Sequence, residues 1–101
     1  MSKVAVFAKL TAAEGKRDAL VDVLRAQIDL VADEAGTEIY ALHTADGDET
    51  SVWFYEVYTD KSSAELHSTS DAMKALGPKL AGLIAGRPEI IRCTPVKAKG
   101  L

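Results

Sequence analysis

Apolar positions change their spacing several times along this chain, and each change marks an element. "KVAVFAKL" (3–10) is dense in β-formers and reads as a strand. From Gly15 to Ala35 the spacing turns helical: Leu20, Val23, Leu24, Gln27, Ile28 and Val31 form one stripe, with Lys16, Arg17, Asp22, Arg25, Asp29 and Asp33 mostly off it. Gly36 stands where a left-handed cap would end that helix. "TEIYALHT" (37–44) predicts a second strand, and the Asp-Gly of "ADGDE" predicts a tight hairpin into a third, "SVWFYEVY" (51–58). Asp60 and Ser70 are N-cap candidates, so 61–85 reads as two or three short helical pieces. A break is expected at Gly77-Pro78, because proline removes a donor and clashes with the preceding turn. "AGRP" (85–88) is a turn, "EIIRCTPV" (89–96) a last strand and "KAKGL" (97–101) a frayed tail.

The order β-α-β-β-α-β predicts an α+β, ferredoxin-like domain over 1–101, with a four-stranded antiparallel sheet and helices on one face. Alternation in the third strand sends Val52, Phe54, Glu56 and Tyr58 to one side and Trp53, Tyr55 and Val57 to the other. Both sets are too apolar for water. One should meet the helices and the other a second copy of the chain, which predicts a homodimer with Trp53 in its interface. His43, opposite in parity to Tyr40, falls on the surface or in that interface.

Composition narrows the classes. With 101 residues, 48% hydrophobic and 27% charged, the chain suits one folded domain and is too apolar for disorder. Its net charge of −3 and scattered lysines and arginines offer no basic stripe to displace counterions from phosphates, so no nucleic-acid partner is expected. No apolar run reaches the roughly 18 residues that a membrane helix needs, and the start enters a strand pattern without a signal-like segment. A cytoplasmic location is the expectation, and Cys93, unable to pair within the chain, is expected to be buried and structural. Two histidines and one cysteine on separate elements give no metal-ligand spacing, and no G-x-G-x-x-G fingerprint occurs.

Two stretches carry a family resemblance. "GTEIYAL" (36–42) pairs a glycine with a tyrosine four later, and "YEVYTDKSSAELHSTSDAM" (55–73) places Glu56, Asp60, Ala64 and His67 as an acid, a cap, an alanine and a histidine. In these the chain resembles the antibiotic biosynthesis monooxygenase family of small dimeric α+β barrel proteins. The resemblance implies a cofactor-independent monooxygenase that oxidises a small phenolic substrate, a quinol or polyketide-like aromatic, with dioxygen. Haem-degrading relatives rely on an asparagine, a tryptophan and a histidine at positions that align here with Ala8, Tyr58 and Gly77, so haem degradation is not expected.

The candidate site follows from parity and the motif together. Tyr40, Glu56 and Tyr58 share the helix-facing side of the sheet, and the helix after Asp60 can lower His67 over them. A positioned imidazole or carboxylate is worth roughly 10²- to 10⁴-fold in rate against a phenol of pKa about 10. His67 is the candidate base and Glu56 the group that orients or charges it, with Tyr40, Tyr58 and Phe54 as substrate contacts. Two other readings stay open. One is a dimeric small-molecule-binding module without turnover, its cavity filled by Phe54, Leu66 and Met73. The other is an isomerase or degradation enzyme for a small phosphorylated signal, which would want a cation at the pocket, with Lys9, Arg87 and Arg92 the nearest candidates.

Overall fold

A computed structural model describes residues 2–101. Its elements are β1 (Val4–Thr11), α1 (Arg17–Leu30), β2 (Thr37–Thr44), β3 (Ser51–Tyr58), α2 (Lys61–Ser68), α3 (Asp71–Leu80) and β4 (Glu89–Cys93). The strands form one antiparallel sheet in the order β2-β3-β1-β4, the ferredoxin-like arrangement. Among the described residues no helix is long and apolar enough to cross a membrane.

Register explains which residues meet the helices. Tyr40 on β2, Glu56 on β3 and Val6 on β1 lie in one row across the sheet, and Leu42, Phe54 and Ala8 lie in the next. One side chain per strand in each row points the same way, so these rows form the inner face. Against it pack Leu20 and Leu24 from α1 and Leu76 and Leu80 from α3, completing a core with Leu10, Val52 and Phe54. At roughly 1.5–3 kcal/mol for each fully buried large apolar side chain, this cluster is the main source of stability.

Five local expectations are corrected. The helix from Gly15 ends at Leu30, and Val31–Glu34 continues as turns in which the Glu34 amide donates to the Val31 carbonyl. Gly36 is absent from the positive-φ glycines; its role is steric, because a Cβ there would come within 2.4 Å of Ser63 Cβ. Pro78 sits in the last turn of α3 without breaking it, since Gly77 has no Cβ to clash with the proline ring and the helix stops two residues later. β4 stops at Cys93, opposite Ala5 near the start of β1; beyond it the neighbouring strand soon ends and Pro95 has no amide to donate. Cys93 itself is only half-buried.

The hairpin between β2 and β3 is longer than a two-residue turn. Gly47 takes φ +74°, and the Asp48 carboxylate accepts from the Thr50 and Ser51 amides at 2.9 and 3.0 Å; the Ser51 side chain first, then these amides and the Thr50 hydroxyl, hold its pKa well below the usual carboxylate range. Asp60 and Ser70 cap α2 and α3 as expected, accepting from Ser63 N at 2.8 Å and Met73 N at 3.2 Å. Gly36 thus lets the capped end of α2 rest on the α1–β2 connection. Gly36→Ala should lower stability by about 1–3 kcal/mol through overpacking. Ser63→Gly should restore much of the loss in the double variant, as read from denaturant midpoints.

Candidate functional site

Between α3 and the inner face of the sheet lies a cavity of about 250 Å³. Its walls are apolar: Ala8 and Leu10 from β1, Leu24 from α1, Phe54 from β3, and Met73, Leu76 and Leu80 from α3, with Pro88 and Ile90 also lining it. Glu56 supplies its one carboxylate among the described residues, Tyr40 adds a phenol, and no cation lines it. Gly77 also borders the space, so two of the positions compared with haem-degrading relatives, Ala8 and Gly77, present no polar side chain.

Burial is the largest influence on Glu56 and raises its pKa above the carboxylate range. Two effects oppose it: the hydrogen bond donated by the Tyr58 hydroxyl and, more weakly, the charge of His67. Burial also raises both phenols, with Glu56 adding to the shift, and Tyr58 further through its hydrogen bond to that acid. Tyr40 and Tyr58 therefore stay protonated at neutral pH, and Tyr58 donates to Glu56. Tyr40 stacks on Phe54 with ring centroids 4.5 Å apart, which fixes its plane at the cavity wall.

His67 lies behind this wall. Its ring centre is 5.0 Å from that of Tyr40 and 5.2 Å from that of Tyr58. Its hydrogen-bond partner is Glu34, with Nδ1 2.7 Å from Oε1, and the same oxygen accepts from Thr37 Oγ1 at 2.8 Å. His67 faces a second cavity, of about 230 Å³, bordered by Glu34, Gly36, Ser63 and Ser70. Sequence parity and the motif thus bring Tyr40, Phe54, Glu56, Tyr58 and His67 into one cluster, but the pairing differs from expectation. Glu56 bonds Tyr58, His67 bonds Glu34, and Tyr58 supports Glu56 instead of lining the cavity.

Sequence reasoning missed Glu34. Glu34 belongs to neither stretch that carries the resemblance and lies beyond the last stripe residue, Val31; it follows the end of α1 at Leu30, in the connection to β2, where it meets His67 on α2.

An antiparallel four-stranded sheet covered on one face, with a small apolar cavity bordered by a single buried acid, defines a ferredoxin-like α+β protein. The chain belongs to the antibiotic biosynthesis monooxygenase family, whose model matches residues 3–78. No curated protein matches it. Solved structures share the whole fold. PA3566 from Pseudomonas aeruginosa has a TM-score of 0.87 at 24% identity, covering 96% of this chain and 97% of its own. NE2512 from Nitrosomonas europaea, a protein of unknown function, has a TM-score of 0.87 at 25% identity, with 98% and 94% covered. A protein from Caulobacter crescentus, named provisionally as an antibiotic biosynthesis monooxygenase, has a TM-score of 0.88 at 25% identity, with 95% and 92% covered.

Proposed function

We propose that the protein is a cofactor-independent monooxygenase for a small neutral phenol of the quinol or anthrone type, acting as a homodimer. The observation that carries this reading is the apolar cavity with Glu56 as its carboxylate and no cation in its lining. A volume of about 250 Å³ lies just under the usual range for small-molecule pockets, roughly 300–1,000 Å³, which suits a compact aromatic.

The roles in the cavity follow from position. Glu56 replaces His67 as the catalytic base, because it borders the cavity and burial brings its pKa closer to that of a phenol. Tyr40, held as a neutral phenol, donates to the substrate oxygen and stabilises the anion that forms. The deprotonated substrate then supplies the electrons: at a ring methylene flanked by aryl groups, two C–H bonds are exchanged for one C=O. Dioxygen is reduced by four electrons, giving one oxygen atom to the product and the other to water. The apolar walls keep water from the carbanion.

Neither alternative gains the same support. Leu66 is exposed and does not fill the cavity, as a binding module without turnover would have it. A phosphorylated signal would bring two negative charges next to Glu56 with no cation to meet them. An oxygen electrode tests the proposal: metal-stripped protein should consume one O₂ per anthrone-type substrate, faster than the protein-free reaction. A rate equal to the protein-free control across a panel of quinols and anthrones would count against it.

A further inference from the structure

Glu34 stands outside the cavity, yet it holds His67, whose ring packs on both tyrosines of the cluster. It lies in the connection between α1 and β2, whereas His67 is on α2, so their 2.7 Å contact joins segments distant in sequence. The acid is itself fixed, since Thr37 Oγ1 donates to the same Oε1 that meets His67 Nδ1. His67 is only 5% exposed in its side chain, so its ring cannot turn freely, and its rim lies against Tyr40 and Tyr58. A carboxylate acceptor at Nδ1 requires a proton on that nitrogen, which sets both the tautomer and the tilt of the ring.

We infer that Glu34 is a positioning residue: its carboxylate locks the His67 imidazole through Nδ1, and the locked ring in turn braces Tyr40 at the wall of the substrate cavity. The inference rests on the proposed use of that cavity for its catalytic meaning, but the bracing itself is independent of turnover. The titratable groups around the imidazole are Glu34 from the α1–β2 connection, Tyr40 from β2, and Glu56 and Tyr58 from β3. Of these only Glu34 hydrogen-bonds it.

The test reads the ring directly. In ¹⁵N-histidine-labelled protein, with His43→Gln to assign the exposed second histidine, His67 Nδ1 should keep its proton at every pH at which the protein is folded. In Glu34→Ala that proton should be lost as the pH rises, leaving the Nε2–H form, and the ring resonances of Tyr40 should move. Glu34→Gln, whose amide oxygen can still accept, should keep the Nδ1–H form and a Tyr40 ring close to wild type. If the alanine variant does not fold, Glu34→Asp, one methylene too short to reach, carries the same comparison. An unprotonated Nδ1 in the wild-type protein, or Tyr40 resonances unmoved in a folded Glu34→Ala or Glu34→Asp variant, would overturn the inference. Intact bracing without oxidation of any phenol would contradict the proposed function and leave this role standing.

Discussion

Glu56→Gln should slow oxygen consumption with a phenolic substrate by roughly 10²- to 10⁴-fold, the contribution of a positioned general base. The substitution keeps shape and an acceptor for Tyr58, so substrate affinity should change little and the loss should fall on kcat. The wild-type rate should rise with pH as Glu56 loses its proton, at a pH above the ordinary carboxylate range because burial disfavours the anion. That rising limb should be absent from the variant. Stability should move the other way. A carboxyl whose folded pKa is raised binds its proton more tightly in the native state, so its favourable contribution is complete below the unfolded pKa and is lost as pH rises through the folded value. At neutral pH the glutamine protein should therefore unfold at a higher denaturant concentration than wild type, with a flatter pH dependence. Slower turnover in a more stable protein separates a catalytic carboxylate base from a structural carboxylate.

Trp53→Asp should raise the dimer dissociation constant by about 30- to 700-fold, in line with the 2–4 kcal/mol typical of a central aromatic anchor. The outer face of the sheet carries Phe7 at 44%, Trp53 at 38% and Ile91 at 63% exposure. Phe7 and Tyr55 pair with ring centres 5.1 Å apart, and Lys9 lies 5.5 Å over the Trp53 ring. Such a patch is unusual on a monomer, and its self-complementary mix of aromatics suits a two-fold interface. The aspartate would remove the aromatic anchor and bring a carboxylate into the apolar face, where Lys9, already 3.9 Å from Glu89, is the neighbouring cation. Sedimentation equilibrium reads the outcome: dimeric wild type and largely monomeric variant at micromolar concentration. A monomeric wild type would remove the interface from the account.

The central hairpin was legible almost to the residue, because alternation is a local property and the Asp-Gly turn lies between two apolar runs. The ranges 37–44 and 51–58 coincide with β2 and β3, and parity alone placed Tyr40, Phe54, Glu56 and Tyr58 on the covered face. Asp60 and Ser70 were equally readable, since a cap bonds an amide only three residues away. What could not be read depends on distance in the chain. Whether His67 meets Glu56 or Glu34 is decided by where α1 stops and how closely α2 approaches Gly36, and neither leaves a periodic trace. The separation of His67 and Glu56 into different cavities has the same origin: parity gives a face of the sheet, but not which side of Tyr40 a cavity occupies.

Met73 offers the most direct reporter, because it lines the cavity and the sequence has only one other methionine, Met1. Protein carrying ¹³C-methyl methionine should be titrated without oxygen with a neutral anthrone-type phenol, and oxygen then admitted to the same sample. The account predicts a saturable shift of the Met73 methyl under anaerobic conditions, followed by conversion of the bound phenol to its quinone faster than in buffer alone. A Met73 resonance that no phenol moves, or a bound phenol that survives oxygen as it does without the protein, would contradict it.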